Sequence, residues 1–296
     1  MEIIHKPVLL KESIENLNIK EDGTYVDCTL GDGGYSLEIL KKLKKGILYS
    51  LEVDDDSIEF VKEKYKEFLG DKWKIIKSNF SDIQKSLNNI GIDGAVFDLG
   101  LSSRQIEASG RGFSFIRSED LDMRMDKELN VKAQDLLKAL SEKELEKLFR
   151  LYGEERFSKR IARSIKRWTK ENTDQHMTTE DLVKLIRRVV PAGYRDGSKH
   201  PARRVFQALR IAVNDEQNTL RAGLSSALSM LNNRGRVVVV SYHSLEDRIA
   251  KNLFKEANNS GNYEVITSKP IVPGEEEVRN NVRARSAKLR VIEKIK

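Results

Sequence analysis

Between Thr24 and Ser36 the chain reads TYVDCTLGDGGYS, a short apolar and β-favouring run around Asp27 that stops abruptly at Gly31-Asp32-Gly33-Gly34. Apolar residues at helical spacing follow at Leu37, Ile39, Leu40 and Leu43. Strand, glycine turn and helix in succession place backbone N–H groups and a helix N-terminus beside a space that glycines leave open. Either this is a plain turn or a ligand-sized group sits there.

The next strand bears on that choice. Ile47 to Val53 (ILYSLEV) is apolar throughout, and Glu52 lies about 20 residues beyond the turn, where nucleotide-binding α/β folds place an acid on a ribose. The spacing suits NAD as well as S-adenosylmethionine. A strict G-x-G-x-x-G fingerprint is absent, since Gly31, Gly33 and Gly34 are followed by Tyr35 and Ser36, and this favours the methyl donor. Trp73 to Ser78 reads as a third strand with Phe80 just past its end, a core residue or a surface for an adenine ring. Ile92 to Leu101 is a fourth strand ending in Asp98, followed by Gly100 and Ser102-Ser103-Arg104-Gln105. Repeated β-α-β alternation implies a parallel sheet whose ligand lies beyond the carboxyl ends of the strands. Gly31, Glu52, Phe80 and Asp98 all fall there.

From residue 111 to residue 204 the alternation breaks and only helices are expected. Ser141 to Glu144 and Thr178 to Asp181 read as helix starts, and Pro191-Ala192-Gly193 ends the second of these helices. A long helical pattern then runs from Pro201 through Phe206, Leu209 and Val213 towards Leu231. The sheet resumes at Arg236–Ser241, with a helix over Leu245–Phe254, which Ser244-x-x-Asp247 is expected to cap, and strands near Tyr263–Thr267 and Leu289–Lys294. The expected architecture is α/β: a seven-stranded, Rossmann-like class I methyltransferase sheet over residues 1–110 and 205–296, with an all-helical insertion over 111–204.

Charge is uneven. The net formal charge is +7, yet from Lys147 to Val213 there are 17 Lys or Arg against 7 Asp or Glu. Over Glu154–Lys170, Phe157, Ile161, Ile165 and Trp168 share one face while Arg163, Lys166 and Arg167 lie elsewhere; the excess continues through Arg187, Arg188, Arg195, Lys199, Arg203 and Arg204. Such a surface is either plainly solvated or contacts phosphates. No apolar run approaches a membrane span, and MEIIHKPVLL lacks the regions of a signal peptide, so a cytoplasmic protein is expected. The lone cysteine, Cys28, falls inside the first strand; burial is its expected role, and no metal site is expected.

The blocks GDGGYS, DLGLSSRQ, RGFSF, LDMRMD, YGEER, HPARRVFQALRIAVNDE, SYHSLEDR and RARSAKLR, in this order across nearly the whole chain, resemble the MraW family of bacterial small-subunit rRNA cytosine-N4 methyltransferases. The resemblance implies S-adenosylmethionine as cofactor, and methylation of the exocyclic amine of a cytidine in the decoding region of 16S rRNA, on assembled small subunits. It implies cofactor contacts at Gly33, Gly34, Tyr35, Glu52, Phe80, Asp98 and Gln105. Two positions depart from the family, which generally has His at Tyr35 and Asp at Glu52.

A cytosine N4 amine has its lone pair delocalised into the ring, so the enzyme must orient it with hydrogen-bond acceptors before direct in-line displacement. Candidates for the proton acceptor are His243, which follows the fifth strand, and Asp98; His243 equally suits a loop or packing role. Candidate RNA contacts are Arg163, Lys166, Arg167, Arg203 and Arg204. The competing reading is a non-catalytic RNA-binding assembly factor that retains the pocket.

Overall fold

The computed structural model of the protein describes residues 7–195, 197 and 199–296; His5 and Lys6 of the lead-in lie outside them. Among the described residues seven strands form one sheet: β1 (Thr24–Asp27), β2 (Ile47–Glu52), β3 (Trp73–Lys77), β4 (Ile92–Asp98), β5 (Leu231–Ser241), β6 (Tyr263–Val265) and β7 (Lys288–Lys294). Their order is β3-β2-β1-β4-β5-β7-β6. The first five in that order pair in parallel, and β7 is antiparallel to both β5 and β6. Strand order reverses between β1 and β4, the point where open α/β sheets leave a crevice for ligands. The expected class I methyltransferase sheet is present.

The helices α1 (Leu10–Leu17), α2 (Gly34–Lys42), α3 (Asp55–Lys64) and α4 (Ile83–Ser86) alternate with the first strands. Then come α5 (Ser103–Glu107), α6 (Ala133–Ala139), α7 (Glu142–Gly153), α8 (Ser158–Glu171), α9 (Thr179–Val189), α10 (Ala192–Arg195) and α11 (Arg203–Asn214). Finally α12 (Glu216–Met230), α13 (Ser244–Asn259) and α14 (Glu275–Asn280) accompany the last strands. None of the described helices is long and apolar enough to cross a membrane.

Both faces of the sheet are buried, which is why its strands read as nearly unbroken apolar runs. Tyr25, Leu48, Val96, Val238 and Val240 pack on one face, Val26, Leu51, Ala95, Phe97, Val237 and Val239 on the other. Alternate residues of one strand thus enter different cores.

The chain divides into two compact units, one running to Ser102 and resuming at Gln217, the other Ser103–Glu216. Both boundaries differ from the expected 110/111 and 204/205. At the second, α11 buries Val205, Phe206, Ala208, Leu209 and Ile211 within the helical unit. It approaches α7 so closely that a Cβ on Gly153 would stand 2.4 Å from the Arg204 carbonyl oxygen. The expected long helix is two, separated at Asp215, whose φ is +47°. The starts at Ser141 and Thr178 carry reciprocal capping boxes with Glu144 and Asp181, as their spacing predicts.

The start of α13 is different. His243, not Ser244, is its N-cap, and the reciprocal partner is Glu246. Asp247, expected in that role, instead accepts from Arg290 Nε at 2.6 Å and Lys288 Nζ at 2.9 Å on β7. Two cations on a neighbouring strand outcompete a local amide for its carboxylate.

Candidate functional site

The carboxyl ends of β1, β2 and β4 each deliver one acid, and burial raises all three above the ordinary carboxylate range. Asp27 is fully buried and its carboxyl is pushed up to about 6, despite hydrogen bonds from the Ser36 hydroxyl and from the Thr29 and Ser36 amides. Glu52 is pushed up to about 7 by burial, against the hydrogen bonds that favour its ionised form. Asp98 is likewise raised to about 7, by burial first and by the negative charge of Asp27 as a further contribution, against a hydrogen bond from Tyr242.

Asp27 organises the turn. It accepts from the Ser36 hydroxyl at 2.6 Å and the Thr29 amide at 3.1 Å. Ser36 Oγ lies 2.8 Å from Ser50 Oγ, which in turn accepts from Trp73 Nε1 at 2.8 Å. A polar chain therefore runs from β1 through α2 and β2 to β3 in an otherwise apolar interior, and it places a carboxyl at the positive end of α2. Sequence reasoning passed over Asp27; a lone acid in an apolar strand was the available signal.

Glu52 closes the same turn from the next strand. One carboxyl oxygen accepts from the Gly31 amide at 2.9 Å, the other from the amides of Val53 at 2.9 Å and Asp54 at 3.1 Å. Three amides occupy three of the roughly four acceptor sites of a carboxylate, leaving about one for a hydroxyl group.

The glycines divide by function. A Cβ on Gly31, at φ +50°, would meet nothing nearer than 3.8 Å, so this glycine alone of the three faces open space. Gly33, at φ +82°, is the N-cap of α2, and its Cβ would stand 3.0 Å from Tyr65 Cε2 and 3.3 Å from Val61 Cγ2. A Cβ on Gly34 would lie 2.3 Å from Pro7 Cγ. Gly33 and Gly34 thus permit α3 and the lead-in to approach, while α2 begins without a side-chain cap. Ser57, one turn before Val61 on α3, has a buried hydroxyl for which the described residues supply no partner.

Tyr35 points into the core: its ring is buried and its hydroxyl donates to the Val8 carbonyl oxygen. Phe80 sits edge-on to Phe97, with ring centres 5.5 Å apart, and against Gly223 of α12. Asp98 takes part in two contacts across the sheet, its amide donating to Thr29 Oγ1 at 2.7 Å and its carboxyl accepting from the Tyr242 hydroxyl at 2.7 Å. Gly100 makes room for that tyrosine, since a Cβ there would lie 2.9 Å from the Tyr242 ring. Tyr242 was not anticipated, because a pairing of β4 and β5 residues is a property of the sheet.

His243 caps α13 with its ring: Nδ1 accepts from the Glu246 amide at 3.3 Å, and Nε2 lies 2.9 Å from Glu246 Oε1. Gln105 belongs to the helical unit, buried on α5. Of the candidate RNA contacts in that unit, Lys166 donates to the Leu137 and Lys138 carbonyls at the end of α6, at 3.1 Å and 2.8 Å. Arg163 pairs with Glu142 at 3.3 Å, Arg204 donates to the Glu154 carbonyl at 2.8 Å, Arg167 is exposed and Arg203 half-buried.

The chain has relatives among known proteins. The chain is 42% identical to the ribosomal RNA small subunit methyltransferase H of Clostridioides difficile (strain 630), over the full length of both. It is 43% identical to the protein of the same name from Brevibacillus brevis, over 98% of each, and 41% identical to that of Finegoldia magna, over the full length of both. A solved rRNA methylase from Streptococcus thermophilus superposes with a TM-score of 0.47 at 10% identity, covering 99% of each chain. Matched from residue 2 to residue 295 by the model of the MraW methylase family, the chain belongs to that family of S-adenosylmethionine-dependent methyltransferases.

Proposed function

We propose that the chain methylates the exocyclic N4 amine of a cytidine in the decoding region of 16S rRNA, on the small ribosomal subunit, without a covalent enzyme intermediate. Names of relatives 41–43% identical over essentially the whole chain support the rRNA substrate. The residues at the strand ends suit S-adenosylmethionine, which carries a sulfonium and an ammonium charge. Three carboxyls with raised pKa are groups that a bound cation would ionise, and Gly31 leaves the turn open. Glu52 would take a ribose hydroxyl with its remaining acceptor site; Gly33, Gly34 and Tyr35 would contribute backbone rather than side chain; Phe80 is proposed as a further contact.

When bound, S-adenosylmethionine supplies an electrophilic methyl group. The observation that carries the amine assignment is Asp98 at the end of β4, whose carboxyl is oriented by the Tyr242 hydroxyl and, once ionised beside the cationic cofactor, is an acceptor for an amine proton. It would hold the N4 amine by hydrogen bond and receive its proton. His243 is the second candidate: its Nδ1 is engaged in the α13 cap, while its buried Nε2, 2.9 Å from Glu246 Oε1, makes no hydrogen bond among the described residues. Attack through ring carbon C5 requires a thiolate. The chain's one cysteine, Cys28, is buried, and burial raises its thiol well above the ordinary range. Incubating small subunits from cells lacking this methylation with isotope-labelled S-adenosylmethionine, then mapping the label to a nucleotide, tests the proposal. Label on a protein or on a residue other than cytidine overturns it.

A further inference from the structure

The positive charge of the helical unit is not uniform in its uses. On α8, Lys166 and Arg163 are engaged in holding α6 and α7. On α9, Lys184, Arg187 and Arg188 stand at i, i+3 and i+4, all exposed, while Leu182 and Ile186 bury the opposite side. Arg195 of α10 converges on them, and the four cations line one shallow, open depression. Arginines in a last helical turn complement the helix dipole. At the start of α9, Glu180 pairs with Lys184 at 2.7 Å and Asp181 serves the Thr178 cap.

A second observation comes from the same unit. His200 stacks on Phe115 with ring centres 4.5 Å apart and planes 11° from parallel, and Phe206 meets Phe115 edge-on at 5.7 Å. Burial and then the charge of Arg187 lower the His200 imidazole, so the ring is neutral at pH 7. Flat neutral rings beside clustered cations are the combination by which proteins hold single strands, with bases on aromatic faces and phosphates on Lys or Arg.

We propose that the α9–α10 depression binds the phosphodiester backbone of a single-stranded stretch of the substrate RNA, with Lys184, Arg187, Arg188 and Arg195 on its phosphates and the half-exposed His200–Phe115 pair offering a stacking surface. This rests on the reading that the substrate is RNA. It adds phosphate contacts on α9 and α10 to those expected on α8.

The test uses the full-length protein and the variant K184A/R187A/R188A, whose changes fall on exposed side chains. Binding to small subunits is measured from 50 to 300 mM salt, and S-adenosylmethionine binding by calorimetry. The expected result is a log–log salt slope smaller by about 2–3, roughly 0.7–0.9 for each phosphate no longer neutralised, with cofactor affinity unchanged. Should the triple variant be unstable, Arg188→Glu alone must lower the slope by about 1. A parental slope in a folded variant overturns the assignment of this depression, even where the parent methylates cytidine N4. A reduced slope in an enzyme whose methyl group is found elsewhere sustains the assignment and overturns the N4 reading instead.

Discussion

The Tyr242 hydroxyl donates a 2.7 Å hydrogen bond to Asp98 Oδ1, tying the residue after β5 to the last residue of β4 beside the point where strand order reverses. This bond opposes the burial that raises the Asp98 carboxyl. Tyr242→Phe therefore moves the Asp98 titration upward. The pH profile of methylation shifts to more alkaline pH by about 1 to 2 units, the equivalent of a hydrogen bond to a charged group. An unshifted profile with intact folding would separate Asp98 from the proton transfer.

The three raised carboxyls also set a pH dependence without substrate. Between the ordinary carboxylate range near 4 and the folded values of about 6 to 7, the native state holds protons that the unfolded chain has released. Stability of the ligand-free chain therefore falls as pH rises through this window, by up to about 1.4 kcal/mol per unit for each group. A cationic ligand reverses the preference: S-adenosylmethionine affinity rises from pH 5.5 to 7.5 and its binding releases protons. Calorimetry in buffers of different ionisation enthalpy reads that release directly.

At the turn, Glu52 substitutions separate charge from geometry. Glu52→Gln keeps one acceptor oxygen, enough for the Gly31 amide or for those of Val53 and Asp54 but not for both sides, so it weakens S-adenosylmethionine by about 1 to 3 kcal/mol with a smaller fall in melting temperature than Glu52→Ala. Glu52→Ala adds a comparable loss of stability, because three amides lose their acceptor. Equal melting temperatures for the two variants would contradict the role of Glu52 in closing the turn.

The glycines make opposite predictions. Gly33→Val lowers the melting temperature, since its branched side chain meets Tyr65 and Val61 at positive φ. Gly31→Ala costs about 1 kcal/mol of stability through its φ but reduces cofactor affinity out of proportion, its methyl group entering the open side of the turn. Thermal melts paired with cofactor titrations distinguish the two.

What the linear chain shows of this site follows from how local each cause is. Glu52 and Asp98 are legible because each ends a strand, Gly31 and Phe80 because each lies just past one, and a parallel sheet gathers such ends on one side. The Asp27–Ser36–Ser50–Trp73 chain and the Asp98–Tyr242 bond are not, because they join strands far apart in sequence. Tyr35 belongs with Ile39 to the buried side of α2, an i, i+4 relation visible in the sequence once the helix start is known. On α8 a helical projection separates apolar from basic residues, yet it cannot show that Lys166 meets the carbonyl end of α6. The apolar stripe of α11 similarly predicts a buried face without naming the unit that buries it.

Lys166 yields a stability prediction in consequence. Lys166→Ala removes the donor to two carbonyls at the end of α6 and costs about 1 to 2 kcal/mol in chemical denaturation. Arg167→Ala, on the exposed side of the same helix, stays within about 0.5 kcal/mol of the parent.

The position of the methyl group on the base separates direct displacement at N4 from attack through C5. Small subunits methylated with trideuteromethyl S-adenosylmethionine are digested to nucleosides, and the labelled cytidine is fragmented by mass spectrometry against N4-, N3- and C5-methyl standards. The account predicts label on N4 alone, undiminished in a Cys28→Ala variant that retains its fold. Label at C5, lost with Cys28, would contradict it.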